Sequence, residues 1–166
     1  MRRKTVGELM SRFHHLGVVV RNMEGAVEYL QSLGMGPFES SNLVHINRRM
    51  DGKPVAGDVK IIVKAGMLGP IWIEFLQPVS GVSTPQKWLA HHGEGISHMA
   101  FIVDNIEEAK SVMVDAGFAL IYSSDNQGGG GMAFFSNEKL GGLIIEMEEL
   151  PSHLDKDPYW GHEPWE

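Results

Sequence analysis

No cysteine occurs among the 166 residues of the chain. That absence removes disulfide frameworks, thiolate zinc sites and cysteine nucleophiles together, and leaves only nitrogen and oxygen donors for any metal. It also accords with a reducing interior, so a cytoplasmic location is expected. Long apolar runs are lacking as well. Nothing approaches the roughly 20 apolar residues needed to cross a bilayer, and the basic start Met1 to Lys4 is not followed by the apolar core of a secretion signal. No membrane association is expected. Basic residues are few, with 14 Lys and Arg against 21 Asp and Glu for a net charge of −7. Nucleic-acid binding draws most of its affinity from cations meeting phosphates, so a small-molecule substrate is the expected partner.

What is present begins with a repeat. Residues 15–34 and 98–117 align without a gap, matching at His15/His98, Val20/Val103, Asn22/Asn105, Glu24/Glu107, Ala26/Ala109 and Gly34/Gly117. Chance gives roughly one identity over such a window. Further on, Ile71 to Phe75 with Glu74 in fourth place resembles Leu143 to Met147 with Glu146 in fourth place. The chain therefore reads as two copies of one unit. With 43% hydrophobic residues it can bury an ordinary core, so one compact domain of two half-units is predicted.

Each copy repeats a series of elements. His14 to Arg21 is a β-branched run that predicts a strand, after which Asn22 caps a helix with apolar positions at Met23, Ala26, Val27, Leu30 and Leu33, stopped by Gly34. Ile96 to Asp104 predicts the second strand, Asn105 the second cap with Glu108 completing a capping box, and Ile106, Ala109, Met113 and Ala116 the second stripe. After each helix the period changes to two. Strands are expected at Pro37–Asn47, Asp58–Lys64 and Pro70–Gln77, then at Phe118–Ser123, Gly131–Ser136 and Gly142–Glu148. The predicted class is α+β: two tandem β-α-β-β-β modules forming a curved, mostly antiparallel sheet cleft with helices outside. The expected boundaries are an N-terminal extension 1–12, a first module 13–80, a linker 81–94 with a short helix from Ser83 to Gly93, a second module 95–150 and an extension 151–166.

Alternation along the strands places the charged residues. His15 shares a face with Gly17 and Val19, His98 with Ala100 and Ile102, Glu74 with Trp72 and Leu76, and Glu146 with Ile144 and Glu148, each opposite the face that packs under a helix. A single strand histidine is usually a satisfied core residue and a single strand glutamate usually faces water. Pairing changes this, because carboxylates set among Trp72, Ile73, Leu143, Ile144 and Ile145 need a compensating cation. Two imidazoles and two carboxylates from matching points of two halves predict one divalent ion per chain, with Zn, Co, Ni, Mn or Fe suited to such donors. His14 and Ser97 fall on the helix-facing parity and read as packing. His91 and His92 close the short helix, where the dipole favours a cation. His45, Arg48 and Arg49 add anion-binding character but read as surface loop, and Gly128 to Gly131 reads as a hairpin turn.

His15 to Val18, Ile73 to Pro78, Gly95 to Phe101 and Gly142 to Glu146 together resemble the vicinal oxygen chelate superfamily, which spans glyoxalase I, methylmalonyl-CoA epimerase, extradiol dioxygenases and resistance proteins. Ser83-Thr84, Lys87 to His92 leading into Gly95 to Ala100, and Asp104 to Gly117 most resemble the epimerase branch. The resemblance implies a metal held by His15, Glu74, His98 and Glu146, and proton transfer by Glu146 with Glu74 as its pseudo-symmetric counterpart. It further implies an acyl-CoA or other carbonyl substrate and a homodimer. Lys60 falls where the epimerases carry a second acidic base, so it binds a substrate carboxylate, stabilises an enolate or is a solvated lysine. The implied activity is epimerisation or isomerisation, with a glyoxalase-type lyase, an extradiol-type dioxygenase and a non-catalytic binder as alternatives. Glu74 disfavours the dioxygenase, since a fourth protein ligand takes a position that dioxygen and substrate need. The tail with Tyr159, Trp160 and Trp165 is expected to cover the cleft or a partner subunit.

Overall fold

A computed structural model describes residues 2–41 and 43–154; the aromatic tail positions Tyr159, Trp160 and Trp165 lie outside them. In chain order the elements are α1 (Val6–Leu9), β1 (Phe13–Val19), α2 (Met23–Ser32), β2 (Glu39–Ser40), β3 (His45–Met50), β4 (Lys53–Pro54), β5 (Lys60–Leu68), β6 (Ile71–Ser80), α3 (Thr84–His92), β7 (Gly95–Ile102), α4 (Ile106–Asp115), β8 (Ala119–Asn126), β9 (Gly131–Ser136) and β10 (Ile144–Glu149). A 3-10 turn, Glu138–Leu140, precedes β10. The expected α+β class is present, and β7-α4-β8-β9-β10 follows the expected β-α-β-β-β series, whereas five strands rather than three follow α2. The described residues cluster into two compact units, one of residues 15–41 and 56–98, the other of 2–14, 43–55 and 99–154.

In the first of these units, β1 pairs in parallel with β6, β6 antiparallel with β5, and β5 antiparallel with β2. Helix α2 starts where the Asn22 side chain accepts from the Gly25 N–H at 3.0 Å, and the chain turns away at Gly34, whose φ of 81° a Cβ would strain. Met23 and Val27 of α2 bury against Phe38, Ile73 and Phe75, with Leu16, Val18 and Leu30 packed alongside. Leu33, expected in that stripe, is the C-cap and is 54% exposed, because the helix ends before its side chain comes round to the sheet. Helix α3 has the expected Ser83 cap, accepting from Gln86 N–H, and the Gly93 stop at φ 82°. Its Trp88 and His92 rings stack at 4.1 Å, one helical turn apart.

In the other unit the antiparallel pairs run from β10 to β9, β8, β3 and β4. Helix α4, capped by Asn105 through the Glu108 N–H at 2.8 Å, buries Ile106, Ala109, Val112 and Met113 against Phe101, Ala133, Phe135, Ile145 and Met147. Ala116 is its exposed C-cap rather than part of the stripe, and Val112 takes the buried place. Helix α1, not anticipated in the N-terminal stretch, is closed by a reciprocal Thr5/Glu8 capping box and buries Leu9 in the same core. The basic start is held by acids: Lys4 and Arg12 each meet Asp104 at 2.7 Å. The hydrogen bond from Lys4, with the two positive charges, holds the Asp104 carboxyl below its ordinary value.

One expected strand is two. Residues 37–47 divide into β2, which pairs with β5, and β3, which belongs to the other unit and pairs there with β8. The alternation breaks at Asn47, which adopts φ 51° where the β3/β8 register shifts between Ile46 and Arg49; asparagine tolerates that region better than most residues. His45, Arg48 and Arg49 therefore lie on a strand, not on the surface loop expected.

Candidate metal centre

The packing of α2 decides which residues face away from it. Leu16 and Val18 of β1 and Ile73 and Phe75 of β6 belong to the α2 core, so the opposite face carries His15, Gly17 and Val19 from one strand and Trp72, Glu74 and Leu76 from the other. The parallel register sets Gly17 opposite Glu74, and Ala65 of β5 flanks Glu74 on its other side. Both neighbours are small. His98 lies over Gly17, where even a methyl group would meet the ring at 1.8 Å from Cε1.

His15, Glu74 and His98 offer ligand atoms that all lie within 4.8 Å of one another. The His15 and His98 Nε2 atoms are 3.3 Å apart, and Glu74 Oε2 is 3.4 Å from His15 Nε2 and 3.9 Å from His98 Nε2. His15 is 1% exposed, His98 3%, and the Glu74 side chain 12%. Two imidazoles sharing a tetrahedral ion at about 2.0–2.1 Å place their nitrogens roughly 3.3–3.4 Å apart, which is the spacing found. A set of two imidazoles and a carboxylate, converging from three strands where little water reaches, fits a divalent cation. It does not select among first-row metals.

Glu146 and Lys60 are the other expected site residues. Glu146 belongs to the other unit, on β10, and is 2% exposed. Ile145 and Met147 fill the α4 core, so Glu146 occupies the opposite strand face with Ile144 and Glu148, as the alternation requires. Lys60 is exposed at the first position of β5, opposite Ser80. Five residues separate it from Ala65, the partner of Glu74, or about 16 Å at strand rise. A lysine side chain does not bridge that distance, and its exposure supports the solvated reading.

Two groups escaped the sequence reading. Ser97 faces the helix by parity, yet its buried hydroxyl donates to the Gly17 carbonyl at 3.3 Å and lies 3.0 Å from His98 Nδ1. A hydroxyl where the α2-type pattern calls for an apolar residue was the available signal. In the other unit, Met50, Tyr122, Phe134 and Glu146 form a row across β3, β8, β9 and β10. The Tyr122 and Phe134 rings are 5.6 Å apart. Burial raises the Tyr122 phenol above its ordinary value, opposed by hydrogen bonds with Ser124 and Arg48 and by the guanidinium charge; the Glu146 charge adds to the rise. His45 Nδ1 meets Ser124 Oγ at 3.4 Å. Arg48 thus places a cation on the strand face that carries Glu146.

The sequence model of the Glyoxalase/Bleomycin resistance protein/Dioxygenase superfamily matches residues 14–135. An uncharacterized protein of Bacillus subtilis (strain 168), YqjC, is 24% identical over 142 residues, covering 84% of this chain and 93% of that one. A methylmalonyl-CoA epimerase solved in complex with methylmalonyl-CoA and NH4+ has a TM-score of 0.64 at 18% identity, over 86% of this chain and 96% of its own. The methylmalonyl-CoA epimerase of Mycobacterium tuberculosis gives 0.62 at 19% identity, over 93% and 95%. A hypothetical protein from Bacillus halodurans C-125 gives 0.58 at 23%, over 84% and 94%. At such identities the structural likeness shows the fold.

Proposed function

Because the chain belongs to the glyoxalase/bleomycin resistance protein/dioxygenase superfamily, we propose that it is a divalent-metal-dependent isomerase or epimerase acting on a carbonyl compound, with an acyl-CoA thioester as the substrate class. The observation that carries this reading is the convergence of His15, Glu74 and His98 within 4.8 Å. Glu146, which occupies in the second copy the place Glu74 holds in the first, completes the proposed ligand set and is the residue assigned to the proton. A bound divalent ion supplies a Lewis acid for a substrate oxygen, lowering the cost of the negative charge that develops when the neighbouring C–H is deprotonated.

The protein residues divide the remaining work. The Glu146 carboxylate, 2% exposed, takes the proton from carbon and returns it. Trp72, Leu76 and Ala65 around Glu74 keep that carboxylate oriented and dry. Arg48, hydrogen-bonded to Tyr122, is assigned to an anionic group of the substrate. Lys60 has no part in the chemical step. A homodimer belongs to the same proposal and is checked by light scattering.

The deciding experiment combines metal analysis of the purified protein with solvent deuterium exchange into a panel of acyl-CoAs, methylmalonyl-CoA among them, and hemithioacetals. Expected is about one divalent ion per chain and metal-dependent exchange at the carbon beside the thioester carbonyl. Turnover of hemithioacetals instead moves the protein to the glyoxalase-type lyases. Oxygen consumption with catechols, or absence of both metal and exchange, defeats the proposal.

A further inference from the structure

We propose that Ser97 is a positioning residue of the metal centre: its hydroxyl, tied to the Gly17 carbonyl, fixes His98 as the Nδ1–H tautomer and turns the Nε2 lone pair toward His15 and Glu74. The inference rests on the metal-binding reading above. A serine hydroxyl has one hydrogen to give. A carbonyl oxygen can only accept, and the Gly17 carbonyl lies 3.3 Å from Ser97 Oγ, so the hydroxyl hydrogen goes there. Toward His98, Oγ is left with a lone pair, and the 3.0 Å contact to Nδ1 is filled by a hydrogen on that nitrogen. Nε2 is then bare, and it is the nitrogen that faces His15 Nε2 at 3.3 Å and Glu74 Oε2 at 3.9 Å.

The other tautomer fares worse at the serine and as a metal ligand. With the hydrogen on Nε2 the contact to His15 Nε2 is satisfied from the His98 side, but the lone pair a metal needs is gone. If the serine then turned its hydrogen to Nδ1, the Gly17 carbonyl would lose its serine donor. Ser97 and His98 are each 3% exposed, so water is not at hand to repair that loss. Gly17 contributes twice: its carbonyl takes the serine hydrogen, and its missing Cβ is the space the His98 ring fills. A metal-ligating imidazole needs its second nitrogen protonated and held. The Ser-His pair and one glycine on the adjacent strand provide this.

The test uses the full chain, labelled with 15N and stripped of metal. Long-range proton–nitrogen correlation reads the His98 ring, its signals identified by their loss in His98→Gln; a hydrogen on Nδ1 is expected. Competition with a chromophoric chelator then gives Zn2+ affinity, expected to fall about 10–100-fold in Ser97→Ala, whose His98 ring becomes a mixture of tautomers. Ser97→Thr, which keeps the hydroxyl, restores both readouts. A wild-type His98 with its hydrogen on Nε2 overturns the inference even if Ser97→Ala does not fold. Unchanged tautomer and unchanged Zn2+ affinity in a folded Ser97→Ala overturn it too. A wild-type chain that binds no Zn2+ defeats the metal reading instead, while the ring measurement on the metal-free protein still decides the role of Ser97.

Discussion

Gly17 shows how much of the centre depends on a side chain that is missing. A Cβ there would lie 1.8 Å from His98 Cε1 and 2.1 Å from Nε2, and the rigid ring is hemmed by the Ser97 contact, so it cannot swing clear in place. Gly17→Ala is expected to destabilise the fold by about 1–3 kcal/mol through overpacking and to displace His98 from His15 and Glu74. Urea unfolding and Zn2+ competition measure the two effects, and unchanged values in both would contradict the geometry. On the face carrying Glu146, Arg48→Gln removes the guanidinium from Tyr122 and from any bound anion. It is expected to raise KM for an anionic acyl-CoA about tenfold or more with kcat changed less, as for lost binding common to ground and transition states; steady-state kinetics check the split. Strand parity made the grouping of His15, Glu74 and His98 legible from the chain alone. Ser97 was not, because its roles are set by a carbonyl 80 positions away on a different strand.

Helices were legible where their boundaries are written locally. Asn22, Ser83 and Asn105 each cap the helix that follows, since a cap needs only a side-chain oxygen within reach of the N–H three residues on. Helix α1 carried the same kind of signal, Thr5 with Glu8 three places later, but four residues are too few to show a periodic stripe. Strand partners are another matter. Period-two alternation says which residues share a face and nothing about which strand lies alongside, so the departure of β3 to pair with β8 left no mark beyond the break at Asn47. The caps lend themselves to a test at this scale. Asn105→Ala loses the 2.8 Å bond from Glu108 N–H at the start of a helix that buries four residues. A loss of about 1 kcal/mol is expected, equivalent to a fall in Tm of about 2–4 °C for a chain of this size, read by calorimetry.

At the scale of the molecule, duplication explains why a chain with net charge −7 keeps a half-buried and a buried acid, Glu74 and Glu146, at matching points of its two copies. Each copy builds its own helix-backed core, and each turns one glutamate of the strand after its hairpin away from that core. Buried carboxylates are costly when isolated and tolerable beside a cation, so the folded state should be measurably dependent on the ion. A ligand bound only by the folded chain stabilises it by about 2.7 kcal/mol at one hundred times Kd. For a protein of this length that corresponds to a rise in Tm of roughly 5–11 °C. Chelator-treated protein is therefore expected to melt lower and to recover on adding Zn2+, with the shift growing with the logarithm of free ion. Glu74→Gln separates the two sides of the balance: it keeps the shape while removing the charge, so the metal-free variant should melt no lower than metal-free wild type, yet gain little from the ion. Scanning calorimetry of both proteins with and without Zn2+ reads all four states. Equal melting of wild type in chelator and in Zn2+ would mean that His15, Glu74 and His98 meet for packing alone.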